Sequence, residues 1–233
     1  MYNCEIEFAN LNLNWKFPFM VSQLPAPSTE AFDFLIKGLR PLGVTARSIN
    51  LETPSTNLDD VAMVFNLLNH KFSLRITYSG IEADGRDIQA EEVLQILQIL
   101  NVVFNSLEKI DSEIKRGIGI VRLSLHLSLL ERTVDDYLSE KVSAKLNCEN
   151  AKPEAVVFSL DFDEFTKHFP TKITLAKSLA VENGLFLDIN YQSGKTEQEL
   201  KTKEPMEFFQ ILTDHYQSLL SFLELNVIVT EEN

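Results

Sequence analysis

Apolar and polar residues alternate through Ile118–Leu129, IGIVRLSLHLSL. Val121, Leu123, Leu125, Leu127 and Leu129 share one phase, and Arg122, Ser124, His126 and Ser128 share the other. Side chains on a strand alternate between its faces, so this is the pattern of a strand with one buried and one solvated face. Ile118 and Ile120 break it, because they sit in the opposite phase. The same break occurs earlier, where Ile6 and Phe8 lie in one phase and Leu11, Leu13, Trp15 and Phe17 in the other. One extra residue resets the facing of everything after it, so bulges are expected at Ala9/Asn10 and at Val121/Arg122.

The recurrence extends along the chain. Ile6 to Phe17 maps onto Ile118 to Leu129 at an offset of 112, FSLRITYSG (Phe72–Gly80) onto LFLDINYQSG (Leu185–Gly194) at 113, and EVLQIL (Glu92–Leu97) onto EFFQIL (Glu207–Leu212) at 115. Offsets in one order with so little drift indicate a tandem duplication. Each unit opens with a long strand followed by a helix. Ser28 caps the first helix, and Thr133, with Asp136 three residues on, the second. Strands then follow: TARSINLE, VAMVF and Phe72–Tyr78 in the first unit; AVVFSLDF, KITLAKSLAV and Leu185–Tyr191 in the second. The short apolar run over residues 61–68 does not separate strand from helix. Asn183-Gly184 predicts a two-residue hairpin. A long helix closes each unit, about Ala90–Ile110 and Pro205–Leu225.

The expected fold is α+β: a β-α-β-β-β-α unit used twice, residues 1–112 and 113–233, forming one body with a largely antiparallel sheet and helices on one face. In topology alone, duplicated units of this kind resemble the TATA-box-binding-protein fold. No residue motif of that family is shared, and the polar sheet face lacks the Lys, Arg and intercalating Phe that such DNA binding requires.

Charge narrows the function classes. The chain carries −13 over 233 residues, with −6 in residues 1–112 and −7 in the rest. Phosphate backbones call for clustered Lys and Arg, so no nucleic-acid partner is expected, and a basic protein partner fits better. Cys4 and Cys148 form no metal or redox spacing. MYNCEIEFANLNLNWKF has neither a basic n-region nor an apolar h-region, which suggests a cytoplasmic protein. Val93–Leu107 is interrupted by Gln95, Gln98, Asn101 and Asn105 and reads as a buried helix, so no membrane partner is expected.

Candidate chemistry is sparse. SGKT (Ser193–Thr196) ends like a P-loop, but Ile189 stands where its first Gly belongs. Asp161, Asp163, Glu164 and His168 lack the converging ligands that a hard metal needs, so neither metal nor cofactor is expected. The polar strand positions supply a ligand-binding face at Arg75, Arg122, His126 and Asp188, with His126 as an acid or base partnered by Asp188. The first closing helix is too apolar for one sheet to cover, and Val103, Phe104 and Leu107 are assigned to an interface, with the second closing helix or in a homo-oligomer. The leading expectation is a non-enzymatic protein-binding module, such as an adaptor, inhibitor or immunity-type factor. The alternatives are a small-molecule binder or enzyme at the His126 face, and a structural homo-oligomer subunit.

Overall fold

The computed structural model describes residues 1–22, 24, 30–52, 60–143, 153–161, 170–192 and 205–228. Ten strands build one sheet: β1 (Tyr2–Lys16), β2 (Ile49–Glu52), β3 (Ala62–Leu67), β4 (Phe72–Thr77), β5 (Gly80–Ile88), β6 (Ile118–Leu129), β7 (Ala155–Asp161), β8 (Pro170–Lys177), β9 (Gly184–Gln192) and β10 (Leu225–Val227). They run in the order β2-β3-β4-β5-β1-β6-β9-β8-β7. Neighbours in this order are antiparallel, and β10 alone pairs in parallel, along Tyr2–Cys4. The helices are α1 (Glu30–Leu39), α2 (Ala90–Glu108), α3 (Val134–Ser143) and α4 (Pro205–Phe222). Among the described residues this is an α+β fold with a large antiparallel sheet and four helices.

One phase of the strands is buried beneath the helices. Trp15 of β1 lies edge-on to Phe104 of α2, Tyr2 to Tyr137 of α3, and Phe158 of β7 to Phe222 of α4. Leu13, Leu74, Leu125, Leu187 and Ile173 on the same face are fully or nearly fully buried. Helix α3 starts as its sequence predicts: the Thr133 hydroxyl accepts from the Asp136 N–H at 3.2 Å and donates to its carboxylate at 2.6 Å. The Ser28 cap lies outside the described residues. Residues 62–67 of the ambiguous 61–68 run are the strand β3.

Several expectations change. The phase break in β1 is a bulge at Glu7, where its pairing with β6 shifts between Ile6 and Phe8; at the expected Ala9/Asn10 position the pairing with β5 also shifts, between Ala9 and Leu11, but there the extra residue is on β5. Strand β6 has no bulge at Val121/Arg122 and pairs continuously with β9 from Ile120 to Ser128. There Ile118 and Ile120 take the outer face because glycines take the inner one. A Cβ on Gly117 would fall 2.3 Å from the indole nitrogen of Trp15 and 2.2 Å from the Lys16 carbonyl, and Gly119 pairs opposite Trp15. Glycine is the side chain that leaves room for the indole.

Strands β5 and β10 escaped the periodicity reading. Because β5 separates β4 from β1 whereas β9 adjoins β6 directly, the aligned segments Phe72–Gly80 and Leu185–Gly194 occupy different places in the sheet. The β8–β9 connection is longer than two residues, running from Ser178 to Asn183, which ends it at φ 50°. Val103, Phe104 and Leu107 are buried inside this chain's own core. Helix α1 supplies the cover expected from α4 or a second copy: Gly38 lies so close to α2 that an added Cβ would come within 2.6 Å of Val102.

Candidate nucleic-acid interface on the open sheet face

The face turned away from the helices is a set of cross-strand rows. One runs Asn66, Ser73, Asp84, Asn12, Arg122, Asn190, Lys172 from β3 to β8. Two rows further along β6, Phe8, His126 and Phe186 stand opposite one another on β1, β6 and β9. Phe8 reaches this face because the Glu7 bulge turns it over relative to Ile6. Its ring stacks on His126 with centroids 4.3 Å apart and planes 22° from parallel, and Phe186 packs from the other side at 5.0 Å. All three are half-buried, so a strip of aromatic surface meets solvent amid polar side chains.

The hydrogen bonds of His126 define its protonation. The Ser178 oxygen accepts the N–H groups of Ala180 and Val181 at 3.1 and 3.0 Å and lies 2.7 Å from His126 Nδ1. With its lone pairs occupied, that hydroxyl donates its own hydrogen to Nδ1. His126 is thereby the neutral tautomer with its proton on Nε2. Burial lowers its pKa from the ordinary value, against a smaller opposing pull from the Asp87 charge. A ring held this way offers a flat surface and one N–H donor, and its Nδ1 is not free to act as a base.

Of the four residues assigned to a ligand face, Arg122 and Asp188 come into contact, and His126 stands two rows further along β6 from Arg122. Arg122 Nε and the Ser124 hydroxyl both donate to Asp188 Oδ1 at 2.7 Å, so Asp188 belongs to Arg122 and the expected Asp188–His126 pair does not form. Arg75 lies apart on β4, held by Glu52 at 3.4 Å and Glu82 at 3.2 Å. Phe8, Phe186 and Ser178 were missed. Phe186 was legible, since it shares the phase of Asp188 and Asn190, whereas Phe8 needed the bulge and Ser178 the loop.

Asp163, Glu164, His168 and the SGKT segment lie outside the described residues. Among the described residues, no group of three or more His, Cys, Asp or Glu could hold a metal, and no helix is long and apolar enough to cross a membrane.

No protein-family model and no curated protein match the chain. Among solved structures it is similar to a rolling circle replication initiator protein from Geobacillus stearothermophilus, at a TM-score of 0.38 and 10% identity over 94% of this chain and 84% of that one. Two expectations are corrected on that finding: the non-enzymatic protein-binding module and the exclusion of nucleic acid. The physical reason for the second is local. Net charge describes the molecule as a whole and says nothing of one face, and the open sheet face carries two Phe side chains, Phe8 and Phe186, that the sequence reading did not place there.

Proposed function

We propose that the open sheet face binds single-stranded nucleic acid by stacking unpaired bases against the row of Phe8, His126 and Phe186. The observation that carries this is the row itself: three rings on adjacent strands of a face that none of the described helices covers, with an Nε2–H donor at the centre. Every base has a π-face and polar edges, and an aromatic sheet surface flanked by amides, hydroxyls and cations matches both. Asn12, Asn190, Ser124, Arg122 and Lys172 are those flanking groups.

The charge of the chain shapes how such binding behaves. Arg122 is already paired with Asp188, which leaves Lys16 and Lys172 as cations on this face with no ion pair among the described residues. Two phosphate contacts give a logarithmic salt slope of only about −1.4 for a single strand. Stacking then supplies most of the affinity.

Fluorescence anisotropy with labelled single-stranded DNA and RNA tests the reading. Binding should have that shallow salt slope, and Phe8→Ala and Phe186→Ala should each weaken it by roughly five- to a hundredfold, as loss of one stacked base implies. Absence of binding, or a double variant that stays folded and binds like the parent, would reject the proposal.

We also infer the duplicated unit, in altered register. Outward from the central β1–β6 pair, β5 and β4 follow β1 as β9 and β8 follow β6. This supports β5, rather than β4, as the counterpart of β9.

A further inference from the structure

A cleft of about 500 Å³ lies between the β3–β4 turn, the segment before β2, and helix α2. The turn is unusual. Leu68, Asn69 and His70 all have positive φ, at 50°, 54° and 69°. Asparagine tolerates this region, but a leucine there is strained, and three such residues in succession require external support. That support is visible: Lys71 N–H donates to the Leu68 carbonyl at 3.0 Å, Arg86 N–H to the Lys71 carbonyl at 2.8 Å, and the Lys71 ammonium pairs with Glu92 at 3.0 Å, in the first turn of α2. The fold thus clamps a strained turn against the helix that forms the cleft wall. Backbone strain held in place by its surroundings is a mark of functional sites.

The lining has a definite chemistry. Arg47, Asn66, Asn69, His70 and Gln95 face the cleft, none with a hydrogen-bond partner among the described residues, and no carboxylate joins them. In a chain of charge −13, an acid-free lining with one guanidinium stands out. The apolar part is formed by Leu42, Leu67, Leu68 and Ile99, of which Leu67 and Ile99 are buried. We propose that this cleft binds a small ionised carboxylic acid with a hydrocarbon tail. The planar Arg47 fork matches a carboxylate with two parallel N–H donors, the amides and His70 complete the polar end, and the tail lies against Ile99 and Leu67. Inorganic phosphate would leave the apolar wall unused, and a neutral alcohol would leave Arg47 unpaired.

The test is a titration of the full chain with hexanoate, hexan-1-ol and inorganic phosphate, followed by amide NMR. Hexanoate should shift Asn69, His70 and Gln95, and the other two probes should leave them unmoved at equal concentration. Arg47→Gln, at an exposed position, should weaken hexanoate binding by about tenfold or more, as expected for one lost charge-assisted hydrogen bond. The proposal is overturned if hexanoate moves none of these amides, if Arg47→Gln binds it unchanged, or if either comparison probe binds as tightly.

Discussion

His126 combines a stability signature with a central place in the proposed stacking row. Its pKa is lowered in the folded state, so the unfolded chain takes up a proton first as pH falls. Stability from this group is therefore full above the unfolded value of about 6.5 and declines as pH drops from there through the lowered folded value. Denaturant titrations at pH 7.5 and pH 5 should show this loss, and His126→Phe should remove that part of it; an unchanged difference would mean that His126 is not the group responsible. Ser178→Ala deletes a hydrogen bond that favours neutral imidazole, so the His126 pKa, read by NMR, should rise. What was legible at this scale was the face on which His126 lies. Its partner was not, because Ser178 sits in a loop and only the completed β8–β9 connection brings it to Nδ1.

At the scale of elements, similar sequence patterns arose from different causes. The phase breaks of β1 and β6 look alike in sequence, yet one is a bulge at Glu7 and the other is glycine making way for Trp15. Periodicity records which positions are apolar, not how large the opposing side chain is. Gly117→Ala should accordingly cost at least about 1–3 kcal/mol in thermal or chemical unfolding, since a Cβ there meets backbone and indole. Helix α2 was legible as over-apolar, but the element covering it was not, because α1 is short and its contact depends on Gly38. Phe104→Ala should cost about 3–5 kcal/mol, as a cavity in the core. Leu94→Ala, at a position 71% exposed, should stay within about 0.5 kcal/mol. Equal effects at the two positions would place the buried stripe of α2 elsewhere. Strand β5 was missed for a related reason: Ile81, Ala83 and Gly85 on its inner face shrink in size along the strand and leave little apolar signal.

For the whole molecule, β10 is a small element with a large reach. It lies along Tyr2–Cys4, and the Cys4 thiol approaches the Asn226 carbonyl at 3.6 Å. Burial pushes that thiol up to about 11, so little thiolate forms near neutral pH. In a Cys148→Ser background, Cys4 should react slowly with a disulfide reagent at pH 8. Leu225→Ala, which thins the clasp at a fully packed position, should speed that reaction more than tenfold; equal rates would show that β10 does not guard the sulfur.

The central position of β1 also sets a timetable for biosynthesis. The strand is made before the other nine described strands, yet it finds partners in β5, β6 and β10, the last of them more than 200 residues later. Once β5 has docked, the other edge of this 15-residue strand is bare until β6 leaves the ribosome. At about 5–20 residues per second, the roughly forty residues from β5 through β6 take ~2–8 s. During that interval the unpaired edge is a template for the same edge on a neighbouring nascent chain. Yield in the cell is then a race between elongation and edge-to-edge capture, decided before the finished protein exists.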